Sequence, residues 1–217
     1  MKPVISKLQR LVLYPISAML YPTQAEGGFT GHHSFMVKYK AGEDLGLDMH
    51  TDDSDVTFNI CLGRNFTGAT LTICGDSRAP THRHFFKSYE HERGRALVHL
   101  GSRRHGADDI QLGERNNLIV WNSNQKYRDS PLHVNKQAYQ KEEGEPDPRC
   151  LSYTHDRDYG TFLDYPPGEM TARLPAHTLR TPCSPPLPLT APPTPILAPP
   201  SMSESQSLDG KRLSPRV

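Results

Sequence analysis

The sequence predicts a mainly β fold: an antiparallel sandwich or barrel, with a jelly roll as its natural form. Three observations point there. About eight short apolar or β-branched runs fall within some ninety residues, separated by turn residues and by no helix. One amphipathic helical stretch precedes them. Finally, 13 of the 20 prolines lie between Pro166 and Pro215, which leaves that end little apolar surface to bury.

The elements follow in chain order. Val4, Ile5, Leu8, Leu11, Val12, Ile16 and Met19 recur at three- and four-residue spacing, so 3–20 reads as a helix with one apolar face. Pro3 suits its first turn, and Pro15 should kink or end it. From His33 the period changes to two: Phe35, Val37 and Tyr39 alternate with Ser34, Met36 and Lys38, as in a strand. Ala41–Asp44 is a turn, and Leu45–Asp52 follows. Val56–Leu62 is the strongest strand, by β-branching and by alternation. Further strands are expected at 69–73, 85–89, 96–100, near Ile110 and at 118–121. Beyond Ser123 the chain is polar, with room for a short helix in 126–147, and the aromatics of 150–165 suit packing back on the core. Pro-Pro-Leu-Pro-Leu and Ala-Pro-Pro-Thr-Pro in the tail favour extended polyproline conformation, which suits a proline-recognising domain but is commoner in a plain disordered tail. The expected division is 1–32 supporting helix and loop, 33–123 core, 124–165 polar extension and 166–217 disordered tail.

Composition narrows the function classes. The 217 residues suit one domain with extra segments, and a net charge of +1 gives no electrostatic case for nucleic acid. No apolar run is long enough to span a bilayer. Met1–Arg10 is basic and Leu11–Leu20 apolar, the outline of a signal peptide, but Pro15 interrupts the run and no small-x-small cleavage site follows. Cys61, Cys74, Cys150 and Cys183 form no C-x-x-C pair and read as free thiols, so an intracellular setting is expected.

Chemistry concentrates at His50-Thr51-Asp52. In a strand, residues two apart share a face, so His50 and Asp52 would project together. Two imidazoles and one carboxylate are the ligand set that holds non-haem Fe(II) with open positions. His105, just before a Gly-Ala turn, supplies the second imidazole; His99, His91, His84 and His82 are its rivals, although His99 lies in an apolar run that suits plain core packing. The bland alternative makes His50 a surface histidine in an acidic loop. Arg115, ten residues past His105, offers a planar guanidinium fork for a carboxylate co-substrate if it opens a strand after Ile110. On Val56–Leu62, Thr57, Asn59 and Cys61 are expected to face the cavity. Val56, Phe58, Ile60 and Leu62 would then face the helix.

Several of these residues form a recognisable set: Val37-x-Tyr39-x-x-Gly42, His50-x-Asp52, Val56-Thr57-x-Asn59-x-x-Leu62, Phe66-Thr67-Gly68-Ala69-x-Leu71, Gly94-x-Ala96-Leu97, His105-Gly106 and Gly113-x-Arg115-x-Asn117-Leu118-x-x-Trp121. Over roughly 33–123 this resembles the 2-oxoglutarate- and Fe(II)-dependent dioxygenases of the prolyl/lysyl hydroxylase branch. The resemblance implies a double-stranded β-helix, and His50, Asp52 and His105 as iron ligands. It also implies that Arg115 holds the distal carboxylate of 2-oxoglutarate, and that Tyr39 and Asn59 line the co-substrate pocket. The implied reaction hydroxylates an unidentified substrate, a protein among the options, using 2-oxoglutarate and dioxygen; succinate and carbon dioxide are released, and L-ascorbate keeps the iron reduced. Two departures stand out. Relatives often carry Phe at the position of His99, and paired glycines where this chain has Gly68-Ala69. The competing expectations are a non-catalytic binding module of the same fold, acting through its β core and tail, and a cupin-type oxygenase indifferent to Arg115.

Overall fold

A computed structural model describes residues 2–133, 145–152, 154 and 158–164. The expectations for the Pro-rich tail (166–217) and for Cys183 fall outside them. Helical residues come first: α1 (Lys2–Leu8), a π-helical turn (Gln9–Leu13), α2 (Tyr14–Leu20) and α3 (Pro22–Ala25). The strands are β1 (Gly31–Lys40), β2 (Leu47–His50), β3 (Val56–Gly63), β4 (Phe66–Gly68), β5 (Leu71–Asp76), β6 (Lys87–Tyr89), β7 (Ala96–Leu100), β8 (Arg103–Ala107) and β9 (Ile110–Ser123). A short helix α4 (Gln125–Arg128) and a 3-10 turn (Pro148–Cys150) follow.

The strands form two antiparallel sheets. The larger has the order β1-β9-β3-β7, with β4 also pairing β9, and the smaller has β2-β8-β5-β6. The chain passes from one sheet to the other at β1→β2, β2→β3, β4→β5, β6→β7, β7→β8 and β8→β9, which is jelly-roll connectivity. Tyr39, Leu71, Ala107 and Ile110 are buried together between the sheets, with Val37, Leu47 and Leu97 packed against them. On the other face of the larger sheet, Val56, Phe58 and Val120 pack against Ile5 and Leu13 of the helix. Val56, Phe58 and Ile60 of β3 therefore meet the helix side, as their alternation predicts, whereas Leu62 is exposed.

Pro15 neither ends nor breaks the helix. It lacks the N–H that would reach the Leu11 carbonyl, and the turn before it widens to π geometry, which places Pro15 in the first turn of α2. This shifts the helical phase by one residue. The expected face continued through Val12 and Ile16, but Leu13 and Ser17 are buried instead, and Val4, Leu11, Val12, Ile16 and Met19 are exposed.

Three further expectations change. Ile110 and Leu118–Trp121 belong to one strand, β9, which bends rather than breaks at Gly113. The φ of 80° there favours glycine, and a Cβ would stand 2.1 Å from the Asn65 carbonyl oxygen. His105 lies inside strand β8, not before a turn. Two of the cysteines expected as free thiols are joined: Cys74 on β5 is disulfide-bonded to Cys150, and only Cys61 is free among the described residues. A separation of 76 residues hid this pairing from spacing rules built on neighbouring cysteines.

The disulfide helps fasten the described residues between 145 and 164 to the smaller sheet. Arg83 donates to Asp158 Oδ1 through Nε (2.9 Å) and Nη2 (2.6 Å), and Arg104 Nη2 donates to Asp158 Oδ2 (2.7 Å). Ser152 Oγ and Thr154 Oγ1 both donate to Asp48 Oδ2, at 2.9 and 2.6 Å. Arg104 adjoins His105 and Asp48 lies two residues before His50, so this segment braces the backbone that carries both histidines. Among the described residues no helix is long and apolar enough to cross a membrane.

Candidate functional site

The register of the smaller sheet brings His50 and His105 together. They are directly opposed across β2 and β8, and their rings stand 4.3 Å apart. Met49, on the opposite face of β2, packs against the disulfide. Asp52 reaches the site by a route other than strand alternation. β2 ends at His50, and Asp52 sits in the segment that crosses to β3, its backbone N–H donating to the Gly101 carbonyl (2.8 Å). A Cβ on Gly101 would lie 2.0 Å from the Ser54 carbonyl oxygen and 2.8 Å from that of Asp52, so only glycine allows this approach.

Asp52 Oδ1 lies 3.6 Å from Nε2 of both His50 and His105. One ligand atom from each of the three lies within 4.8 Å of the others. The tautomers agree with such use. His50 Nδ1 bonds the Asp48 carbonyl (2.8 Å) and His105 Nδ1 the Arg103 carbonyl (2.9 Å). A carbonyl only accepts, so Nδ1 holds the proton in each ring and Nε2 presents its lone pair to the site. Burial and the neighbouring His99 and His50 push the His105 pKa down to about 3, which keeps it neutral.

The larger sheet contributes two groups from a directly opposed pair, Thr57 on β3 and His99 on β7. Thr57 Oγ1 donates to Asp52 Oδ2 (2.6 Å), and its oxygen is also 2.6 Å from Ser54 Oγ. Thr57 spends its one proton on the carboxylate, so Ser54 must donate to Thr57. His99 is buried, its ring 4.4 Å from that of His105 and its Nε2 3.8 Å from Asp52 Oδ2. Sequence reasoning weighed His99 as a rival ligand, as a core-packing residue and as a partner beside the metal; its alternation within β7 was the available signal. Thr57 was placed on the cavity face without a partner, and Gly101 gave no signal at all.

Arg115 lies deeper in the barrel on β9, opposed to Tyr39 of β1. Its side chain is fully buried and its guanidinium carbon lies 4.8 Å from the centroid of the Tyr39 ring. Nη1 donates to the Ala69 carbonyl, while Nε and Nη2 have no hydrogen-bond partner among the described residues. Burial lowers the Arg115 pKa from its ordinary value, but a guanidinium stays charged in any protein. A buried charge with two unmet donors is costly unless an anion completes it. Asn59 faces inward on the same sheet but is already engaged, accepting from Asn117 Nδ2 (2.6 Å), which also lies 3.2 Å from His91 Nδ1.

A mainly β double-sheet core thus carries two histidines and one carboxylate that converge between the sheets as a candidate metal-binding group, with a buried arginine further in. No family model matches the sequence. Over 120 residues the chain is 39% identical to the human 2-oxoglutarate and iron-dependent oxygenase domain-containing protein 2, a match covering 55% of this chain and 34% of that protein. The mouse protein of the same name is 39% identical over 119 residues, covering 55% and 34%. The Arabidopsis thaliana oxygenase domain-containing protein ICU11 is 35% identical over 133 residues, covering 57% and 33%. The chain thus matches about a third of the length of these curated relatives, and over the matched span it is a homologue of these 2-oxoglutarate and iron-dependent oxygenase domain proteins.

Proposed function

We propose that this chain is a Fe(II)- and 2-oxoglutarate-dependent dioxygenase, hydroxylating a substrate with release of succinate and carbon dioxide. The observation that carries the reading is the convergence of His50 Nε2, His105 Nε2 and an Asp52 oxygen within 4.8 Å, on tautomers that present lone pairs. The donor set fits iron: two neutral imidazoles and one anionic oxygen on buried, hydrogen-bonded supports. His50, Asp52 and His105 would hold the metal. Bound iron with 2-oxoglutarate and dioxygen supplies the oxidising power for hydroxylation at carbon. L-ascorbate is part of the proposal as the reductant that maintains the ferrous state.

The chain's own residues bind, orient and exclude water. Arg115 gives the distal carboxylate of 2-oxoglutarate two charge-assisted donors, Nε and Nη2, on a fully buried side chain. Tyr39 stacks on the guanidinium and limits its rotation. Asn59 and Asn117 line the same interior and supply polar atoms beside the co-substrate. Thr57 fixes the Asp52 carboxylate so that Oδ1 faces the two histidines. The test is succinate release by the purified chain with iron, 2-oxoglutarate and ascorbate. It should vanish in Asp52→Ala and fall steeply in Arg115→Ala. Turnover that survives Asp52→Ala would overturn the reading.

A further inference from the structure

The N-terminal helical layer carries more apolar surface than the larger sheet covers. Ile5 and Leu13 bury against Val56, Phe58 and Val120, and that contact uses one side of the layer. The phase shift at the π turn, which buries Leu13 and Ser17, also turns Val12, Ile16 and Met19 outward. They fall in line with Val4 and Leu11, which stand seven residues apart and so share a face. The row is open: Met19 is 82% exposed, Val4 69% and Leu11 55%. Six of the twelve large apolar side chains exposed among the described residues lie between Val4 and Leu20. Apolar side chains exposed singly are ordinary, but a continuous row of them marks a surface that meets a partner.

Charge identifies that partner. Lys2, Lys7 and Arg10 are exposed on the same layer, and the sequence has no Asp or Glu before Glu26. An aliphatic row with cations beside it and no acid matches an anionic lipid surface. The apolar side chains enter the acyl boundary, and the ammonium and guanidinium groups stay at the level of the phosphates. A second copy of the chain would bring three more cations into the same interface. We propose that the outer row of this layer, Val4, Leu11, Val12, Ile16 and Met19, docks the chain on an anionic membrane surface, with the helices lying in the interface rather than crossing it. The larger sheet stands between this row and the His50–Asp52–His105 cluster, so docking leaves that cluster uncovered. Membrane docking is independent of the oxygenase reading and stands or falls by itself.

The test is flotation of the whole chain with two kinds of vesicle, phosphatidylcholine alone and phosphatidylcholine mixed with phosphatidylserine. The chain should float with the mixed vesicles and far less with the neutral ones. Each basic residue near an anionic surface contributes about 1 kcal/mol, so Lys7→Gln combined with Arg10→Gln should lower the partition roughly 30-fold. Leu11→Glu combined with Met19→Glu should abolish flotation. All four positions are exposed, so these variants keep the fold, which circular dichroism melting checks. A wild-type chain that floats with neither vesicle, or equally with both, overturns the proposal. So does flotation that survives Leu11→Glu with Met19→Glu, because the contact then lies elsewhere. A chain that instead dimerises in sedimentation equilibrium, with the dimer lost in Met19→Glu, assigns the row to a second copy and overturns membrane docking.

Discussion

Thr57→Val tests the architecture of the centre without touching a histidine or the carboxylate. Valine has nearly the shape of threonine, so it leaves no cavity in β3 and removes only the hydroxyl. That hydroxyl donates to Asp52 Oδ2 at 2.6 Å and accepts from Ser54, with both Thr57 and Asp52 buried. A hydrogen bond to a charged group contributes about 1.5–3 kcal/mol, and a buried Ser54 hydroxyl left without its acceptor adds about 1 kcal/mol. With the metal stripped, the expected loss is therefore about 2–4 kcal/mol. Given a urea m-value of about 1–3 kcal/mol/M, the unfolding midpoint should fall by roughly 1–2 M. Metal affinity, read by Co(II) titration, should weaken by roughly 10–100-fold because the carboxylate loses its orienting donor. Ser54→Ala should give a smaller change in the same direction. An unchanged midpoint together with unchanged Co(II) affinity would show that Thr57 does not hold Asp52, and the account of the carboxylate's orientation would fail.

Gly101→Ala should abolish metal binding or prevent folding, because its Cβ would stand 2.0 Å from the Ser54 carbonyl and push the Asp52 backbone off its anchor; soluble expression and Co(II) titration check this. Reducing the Cys74–Cys150 bond, or Cys74→Ser, should destabilise the chain by up to about 4.5 kcal/mol, the loop-closure value for a 76-residue separation, seen as a lower melting temperature with dithiothreitol. Acid should destabilise the metal-free fold through His91 and His82. Burial lowers both pKa values to about 4, helped by Arg115 at His91 and by Arg83 and Arg104 at His82. The unfolded chain, with ordinary histidine values near 6.5, then binds protons first as pH falls. Stability is fully present above about 6.5, is lost between about 6.5 and 4, and falls no further from these groups below 4. Unfolding free energies from urea titrations across that window should fall by about 1–3 kcal/mol per histidine, and His91→Gln should flatten the slope.

Strand-period reasoning found most of the sheet elements, though not β4, which it read as part of a turn, because half-buried strands write alternation directly into the sequence. Val56–Gly63 is the clearest case: Val56 and Phe58 bury against the helix while Thr57 and Asn59 face inward. The same reasoning misread β8. Arg103-Arg104-His105-Gly106-Ala107 is polar along its length because Arg104 is buried against Asp158, a residue more than fifty positions away. Local pattern carries no trace of that partner. The helix failed in phase, not in kind, since a periodicity count assumes 3.6 residues per turn throughout and Pro15 imposes a wider turn before it. At the candidate site the residue types were legible, but the route of Asp52 was not. Its place depends on Gly101 approaching from the β7–β8 turn, a contact between segments that no spacing rule connects.

The two sheets divide the site in a way that bears on its sensitivity. The spacing of His50 and His105 is set inside the smaller sheet by the β2–β8 pairing, and that of Thr57 and His99 inside the larger sheet by the β3–β7 pairing. Backbone ladders are stiff, so these two distances resist change. Asp52 belongs to neither sheet. It hangs on the segment that crosses between them, held by one backbone bond to Gly101 and one side-chain bond from Thr57. The carboxylate-to-imidazole distances therefore depend on how far apart the sheets stand, and that spacing is set by the apolar layer of Tyr39, Leu71, Ala107 and Ile110. Interiors pack densely enough that a change of one methylene is felt. A volume change in this layer should thus alter metal affinity through Asp52 while leaving the pairing of His50 and His105 intact. Substitutions on the helix-facing side of β3, with the larger sheet between them and the centre, should cost stability alone.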